Sequence, residues 1–263
     1  MIINKKSKKS QITMFVIIAV IIVLIVASLV AFRTQLGIAG ISASENPVGF
    51  IEQCLADYSS TAVDKLMLTG GLNGDARRYA FADENITYLC YTENDNELCV
   101  NEHPMLNKEI GLSIKNLLMP KIESCFNDLQ KKLSGAKYSS EPISSVEVSI
   151  EPTSIIITLN KKISYIKTDT VFSLDKFSVS INSPACSFIG IANDIVNQEL
   201  DCACGISSCN ADIVALSTLN REFETSKPVL ASSGEEVYQI SELSSTKKFK
   251  FALRNCVIET QTL

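Results

Sequence analysis

From residue 12 to residue 32 the chain runs for 21 residues without a charged side chain, ITMFVIIAVIIVLIVASLVAF. As an α-helix this stretch spans about 31 Å at 1.5 Å per residue. The hydrocarbon core of a bilayer is about 30 Å thick. Thr13 and Ser28 are the only hydroxyls in the run, and a helix can satisfy both on its own carbonyls. Apolar stretches this long seldom serve as core helices of soluble domains. The run also exceeds the apolar region of about 7–15 residues found in a cleaved secretory signal, although Ala39, Gly40 and Ala43 supply small residues for that reading.

Charge sets the direction of insertion. Lys5, Lys6, Lys8 and Lys9 precede the run, Arg33 follows it, and the next basic residue is Lys65. The positive-inside rule keeps such an N-terminus in the cytoplasm. The expected protein is single-pass in the cell membrane: a basic cytoplasmic tail at 1–11, a transmembrane helix at 12–36, a linker at 37–46 and an extracytoplasmic domain at 47–263. Of the 24 Lys and Arg residues four lie in the tail, which leaves 20 against 29 acidic residues in the remainder. Nucleic-acid binding calls for a basic footprint, so the expected partners are the lipid bilayer and identical subunits or other envelope proteins, not nucleic acid.

The body reads as α+β, with one mainly antiparallel sheet and about three helices on one face. Asn46-Pro47 gives an N-cap and a first-turn proline. Ile51, Cys54, Leu55, Tyr58, Ala62, Leu66 and Met67 follow at helical spacing until Gly70-Gly71. A second helix is expected from Asn107 as cap through Ile110, Ile114, Leu117, Leu118, Ile122, Cys125, Phe126, Leu129 and Leu133, with a kink or break before Pro120. A third opens at Ser183-Pro184 and carries Cys186, Ile189, Ala192, Ile195 and Val196. Strands are expected at 146–150, from 155 to 159 and on through Ile163 and Ile166, at 177–181, 212–217, 237–240 and 249–258. Residues 85–100 read as a hairpin turning at Asn94-Asp95, which sets Cys90 opposite Cys99 as a non-hydrogen-bonded pair.

Nine cysteines stand at 54, 90, 99, 125, 186, 202, 204, 209 and 256. All follow the apolar run, on the side where an oxidising medium preserves disulfides. The expected bridges are Cys90 with Cys99, and Cys54 with Cys125 on the apolar faces of the first two helices. Buried free thiols are the alternative for the second pair. The cluster Cys202-Ala203-Cys204-Gly205-Ile206-Ser207-Ser208-Cys209 suits a loop stapled by Cys204–Cys209 or Cys202–Cys209. Zinc, with Cys186 or Cys256 as a further ligand, is the competing reading of that cluster.

No catalytic constellation stands out, so the chain is not expected to be an enzyme, and no cofactor or metal is expected. His103 is the only histidine, in Asn101-Glu102-His103-Pro104, and reads as a surface residue before a helix. Gly70-Gly71-Leu72-Asn73-Gly74 lacks the Lys-Ser/Thr of a phosphate loop. Asp83-Glu84 and Glu235-Glu236 read as solvated surface. Asn85-Ile86-Thr87 is a glycosylation acceptor triplet with Asn85 as the site.

The junction Lys8-Lys9-Ser10-Gln11-Ile12-Thr13, running straight into the apolar stretch, resembles an archaeal class III prepilin signal. The resemblance implies cleavage between Ser10 and Gln11 and packing of the freed helix in a filament core. The sequence departs from that pattern with Ser at position 10, where Gly or Ala is usual, and with Phe15, where many type IV pilins carry Glu. The stretches Pro47-Val48-Gly49-Phe50-Ile51-Glu52-Gln53-Cys54-Leu55 and Phe249-Lys250-Phe251-Ala252-Leu253-Arg254-Asn255, with Gly70-Gly71, resemble membrane-anchored proteins of small-genome archaea. That likeness implies no particular activity. The leading functional expectation is a structural or interaction protein of the cell envelope, such as a type IV pilin-like subunit. The alternatives are an anchored ligand-binding receptor module and an extracytoplasmic thiol oxidoreductase using Cys202 and Cys204.

Overall fold

The computed structural model describes residues 46–133, 137–167, 169–201, 222–230 and 235–256. The apolar run at 12–32, Ser10 and Gln11, the linker, the cluster at Cys202, Cys204 and Cys209, and the strand expected at 212–217 lie outside the described residues. No described helix is long and apolar enough to cross a membrane.

Three helices stand among the described residues: α1 (Pro47–Met67), α2 (Leu106–Lys132) and α3 (Ala185–Asp201). Local chemistry starts α1. The Asn46 side chain accepts the Gly49 N–H at 2.9 Å, and Pro47 takes the first turn, where a missing N–H costs nothing. Ser183 does the same for α3, its hydroxyl accepting the Ala185 N–H at 3.3 Å. The start of α2 differs from expectation. Met105 occupies the cap position without a side-chain bond, and Asn107 lies exposed one residue inside the helix. The preceding loop is closed by His103 instead. Its N–H donates to Asn101 Oδ1 at 2.8 Å, and its Nδ1 sits 2.7 Å from Glu109 Oε2 with the ring largely buried, not on the surface.

Pro120 does not end α2, which continues for 27 residues. Both Pro120 and Asn116, whose carbonyl loses its partner, are exposed, so water can take the freed acceptor. An interior proline still costs about 3 kcal/mol. Pro120→Ala is therefore expected to stabilise the fold by about 1–2 kcal/mol, the unfolded-chain entropy offsetting part of the gain. A denaturant midpoint that fails to rise would contradict this account of the helix.

The ten described strands are β1 (Arg78–Phe81), β2 (Glu84–Tyr91), β3 (Val100–Asn101), β4 (Tyr138–Ser140), β5 (Ser145–Ile150), β6 (Ser154–Lys167), β7 (Thr170–Asn182), β8 (Phe223–Leu230), β9 (Glu235–Glu242) and β10 (Lys248–Arg254). They form two sheets, not the single one expected. The larger runs β1-β2-β10-β9-β8, with β3 also on β2. It is mixed, because β2 and β10 run parallel while the other neighbours are antiparallel. In the smaller, β6 lies between β7 on one side and β4 and β5 on the other, all antiparallel. Alternation within a strand fixes which side chains are inward, but strand partners are chosen over long sequence distances, so the division into two sheets has no local signature.

Both sheets contribute to one core. Ile155, Ile157, Leu159 and Phe177 from the smaller and Phe249, Phe251 and Ile240 from the larger join Ile51 and Leu55 of α1, Ile110, Ile114 and Ile122 of α2, and Phe188 of α3. Phe126 meets Phe177 edge-on at 5.2 Å, and Phe188 meets Phe223 edge-on at 5.6 Å. Aromatic pairs in such geometry add to the area they bury.

A polar clamp holds α3 to the larger sheet. The Tyr238 hydroxyl lies 2.9 Å from Glu199 Oε1 and 3.0 Å from Glu236 Oε2, and Asn255 Nδ2 donates to Glu199 Oε2 at 3.1 Å. Burial above all, then the facing carboxylates Glu236 and Glu199, pushes the Tyr238 phenol far above its ordinary range, so it stays a donor. The acidic pairs are not simply solvated. Glu235 lies 3.3 Å from Arg254 Nε at 15 % side-chain exposure, and Glu84 binds Lys250 at 2.6 Å.

The expected hairpin needs a correction as well. In β2 and β3 Cys90 pairs with Asn101 and Tyr91 with Val100, so Cys99 is outside the ladder and residues 92–99 form a loop, not a two-residue turn. Side chains build that loop. Thr92 Oγ1 accepts the Asn94 N–H at 3.2 Å, Asn94 Nδ2 donates to Glu97 at 2.9 Å, and Asn255 Oδ1 accepts the Cys99 N–H at 3.0 Å. The Thr92 N–H donates to Arg254 O at 3.0 Å, carrying the chain on along β10 past the point where a tight turn would have left it.

Candidate functional site

Helices α1 and α2 lie antiparallel. The Lys132 ammonium sits 4.6 Å from the centre of the Phe50 ring, Cys54 is bonded to Cys125, and the Lys121 ammonium sits 5.0 Å from the centre of the Tyr58 ring. The disulfide, with its S–S distance of 2.01 Å and Cα atoms 6.0 Å apart, fixes one helix against the other. Ile51, Leu55, Ile122 and Leu129 face the core and are buried. The neighbouring stripe of each helix, one step round, faces outward.

Between these outward stripes and residues 69–78 runs an open groove of about 980 Å³. Its floor is apolar, with Phe50, Ala62, Leu66, Leu72 and Leu118, and Tyr58 and Leu117 stand in it at 41 % and 36 % exposure. Lys65, Arg78, Lys121 and Lys132 line it against a single acid, Asp57. Asp57 is already engaged, accepting from Gln53 Nε2 at 2.8 Å. None of the four cations forms an ion pair among the described residues, although Arg77, Lys131, Lys162, Lys250 and Arg254 each do. Lys121 and Lys132 lean over aromatic faces, and Arg78 donates to the Leu72 carbonyl at 3.1 Å. The chain as a whole is acidic, with a net charge of -5, so an apolar trough rimmed by unpaired cations stands out against its surroundings. A mostly apolar cleft with a few convergent charges is the usual form of a binding site.

No family model matches the chain, and neither a curated protein nor a solved structure does.

The sequence-derived site residues fall in three places. Cys54 and Cys125 come together beneath the groove. Cys90 and Cys99 are also joined, with Cα atoms 5.4 Å apart, even though their strand register differs from the one expected. Cys204, Cys209, Ser10 and Gln11 lie outside the described residues. Cys186 is a free, half-buried thiol, and Cys256 is disulfide-bonded. Asn85 is exposed near the turn between β1 and β2, whereas Thr87 of the same triplet is fully buried, its hydroxyl donating to the Thr69 carbonyl at 2.9 Å.

Tyr58 and Leu117 were expected in the core stripes of their helices, and both are exposed instead. Tyr58 stands one turn from Cys54 and Leu117 two turns from Cys125, on the side of the helix pair that opens into the groove. The four cations carry no motif of their own. The signal that could have revealed them is helical spacing: Phe50, Cys54, Tyr58, Thr61 and Lys65 follow one another at three- and four-residue steps, a second stripe beside the core stripe.

Proposed function

We propose that this chain is a single-pass, membrane-anchored interaction module of the cell envelope, with its disulfide-bonded body outside the cytoplasm and the α1–α2 groove as its contact surface. The observation that carries the reading is the groove itself: apolar floor, four cations without ionic partners among the described residues, and a covalent bond holding its walls together. The uncharged run at 12–32 and the lysines before it support the anchor, and the two bridges among the described cysteines suit an oxidising compartment. Protease added to intact cells should remove the body and release peptides in which Cys54–Cys125 and Cys90–Cys99 remain linked. A body that stays intact under such treatment overturns the placement.

A second reading, a pilin-like subunit, is favoured by the Lys8-Lys9-Ser10-Gln11 junction. It requires a mature chain beginning at Gln11 and filaments in material shed from the cell surface. The module reading requires neither. Mass analysis of the N-terminal peptide, with electron microscopy of the shed fraction, separates the two.

A further inference from the structure

We infer that the occupant of the α1–α2 groove is an acidic amphipathic helix supplied by another protein, an inference that rests on the reading of the groove as a contact surface. Three observations select it. The first is shape. The groove follows α1 from Phe50 to Lys65, 15 residues apart, or about 22 Å at the helical rise. Two antiparallel helices with a trough between them offer a third helix the ridges and grooves that helix packing uses.

The second is the distribution of charge. Lys132 stands at the Phe50 end, Lys121 beside Tyr58, and Lys65 at the far end. A lipid or fatty acid would need cations at one end and an uncharged trough beyond. Cations spread along the rim match carboxylates repeated along a helix, with apolar residues between them seated on Leu66, Leu117 and Leu118. Charge of this kind governs encounter rate and partner choice more than raw affinity.

The third sets aside the N-terminal segment and helix α3 as occupants. Residues 1–44 contain no Asp or Glu and four lysines, so the N-terminal segment meets the rim with like charge. Helix α3 is acidic and carries no basic residue, but its apolar face, with Phe188, Ile189 and Val196, is buried in its own core. A second copy therefore cannot offer α3, and its α1 and α2 bring the same rim lysines, Lys65, Lys121 and Lys132.

The test is selection on the full chain in lipid nanodiscs. A displayed library of helices about 16 residues long, with apolar residues fixed at helical spacing and every other position randomised, is panned against it, with the K121E/K132E chain as counter-selection. Enrichment of helices rich in Asp and Glu supports the inference. So does a loss of affinity of roughly tenfold or more for the K121E/K132E chain, together with weakening as salt is raised. Enriched helices of neutral or basic character overturn it, as does no enrichment, or displacement of the selected helices by oleate at equal concentration, which would mark the groove as an amphiphile site. Lys121 and Lys132 are exposed, so the double variant should melt within about 2 °C of the parent. If it does not, Leu117→Asp, at an exposed floor position, replaces it under the same criteria. The protease experiment on intact cells stands apart: an intact body there removes the envelope placement, whereas absence of acidic helices in the selection removes only the partner.

Discussion

Removing the bridge between α1 and α2 by replacing Cys54 and Cys125 together with alanine should destabilise the chain by roughly 4 kcal/mol and lower its melting temperature by about 8–16 °C. The size follows from the sequence separation of 71 residues that the bond spans. Closing so long a loop removes far more freedom from the unfolded chain than the separation of nine closed by Cys90 and Cys99, for which the same treatment gives roughly 2.5 kcal/mol. Cys125 is fully buried, so the double alanine variant also leaves a small void. The comparison is direct: melting the two double variants side by side should rank the α1–α2 bond first. Equal losses would show that loop entropy is not what these bonds contribute.

Gly71→Ala should cost about 3 kcal/mol or more, although it adds a single methyl group. Gly71 has φ +77°, where an L-residue loses roughly 1–2 kcal/mol. Its Cβ would also stand 2.6 Å from Ile110 Cδ1, 2.8 Å from Ile110 Cγ1 and 3.2 Å from the Phe249 ring. Both neighbours are fully buried, and forcing atoms into a filled core costs a further 1–3 kcal/mol or so. Gly74 is the internal control. It shares the unusual backbone, with φ +98°, but a Cβ there meets nothing within 4 Å. Gly74→Ala should therefore lose only the backbone contribution, about 1–2 kcal/mol. The gap between the two variants isolates the cost of the close approach, and denaturant melts of equal midpoint would refute the packing assignment.

What the sequence made legible is what short-range chemistry decides. Asn46-Pro47 and Ser183-Pro184 announce helix starts because a cap and a fixed φ act within four residues. The β-branched run at 155–159 announces β6 because its inward side chains alternate regardless of partner. Glu151-Pro152-Thr153 turns the chain between β5 and β6, and the Glu151 N–H donates to the Ser154 carbonyl at 2.8 Å. Strands β1, β4 and β8 were missed for identifiable reasons. The first two are four and three residues long, too short for alternation to register. β8 contains Pro228, tolerated because the strand is at the end of its sheet and its register shifts between Ser226 and Val229.

The bond between Cys90 and Cys99 was legible while its register was not. A disulfide needs two Cα atoms within about 7 Å and Cβ vectors that face each other, whereas register depends here on Thr92, Asn94 and Asn255, the last of them more than 150 positions away. The groove was half legible. The apolar stripes of α1 and α2 can be read from spacing, but whether Tyr58 and Leu117 lie inside or outside depends on how the two helices are rotated against each other in the folded chain.

Strand β10 sits in the middle of the larger sheet, between β2 and β9. Residues 248–254 leave the ribosome more than 150 residues after β2, so β2 must wait through that stretch of synthesis before its parallel neighbour exists. A chain without β10 would leave Cys90, fully buried in the finished protein, beside an unsatisfied strand edge, and its bond to Cys99 closes a ring of only nine residues' separation. Early closure of that small ring would keep Cys90 from capturing the wrong partner, and slow non-local pairing of this kind is where newly made chains are most prone to aggregate.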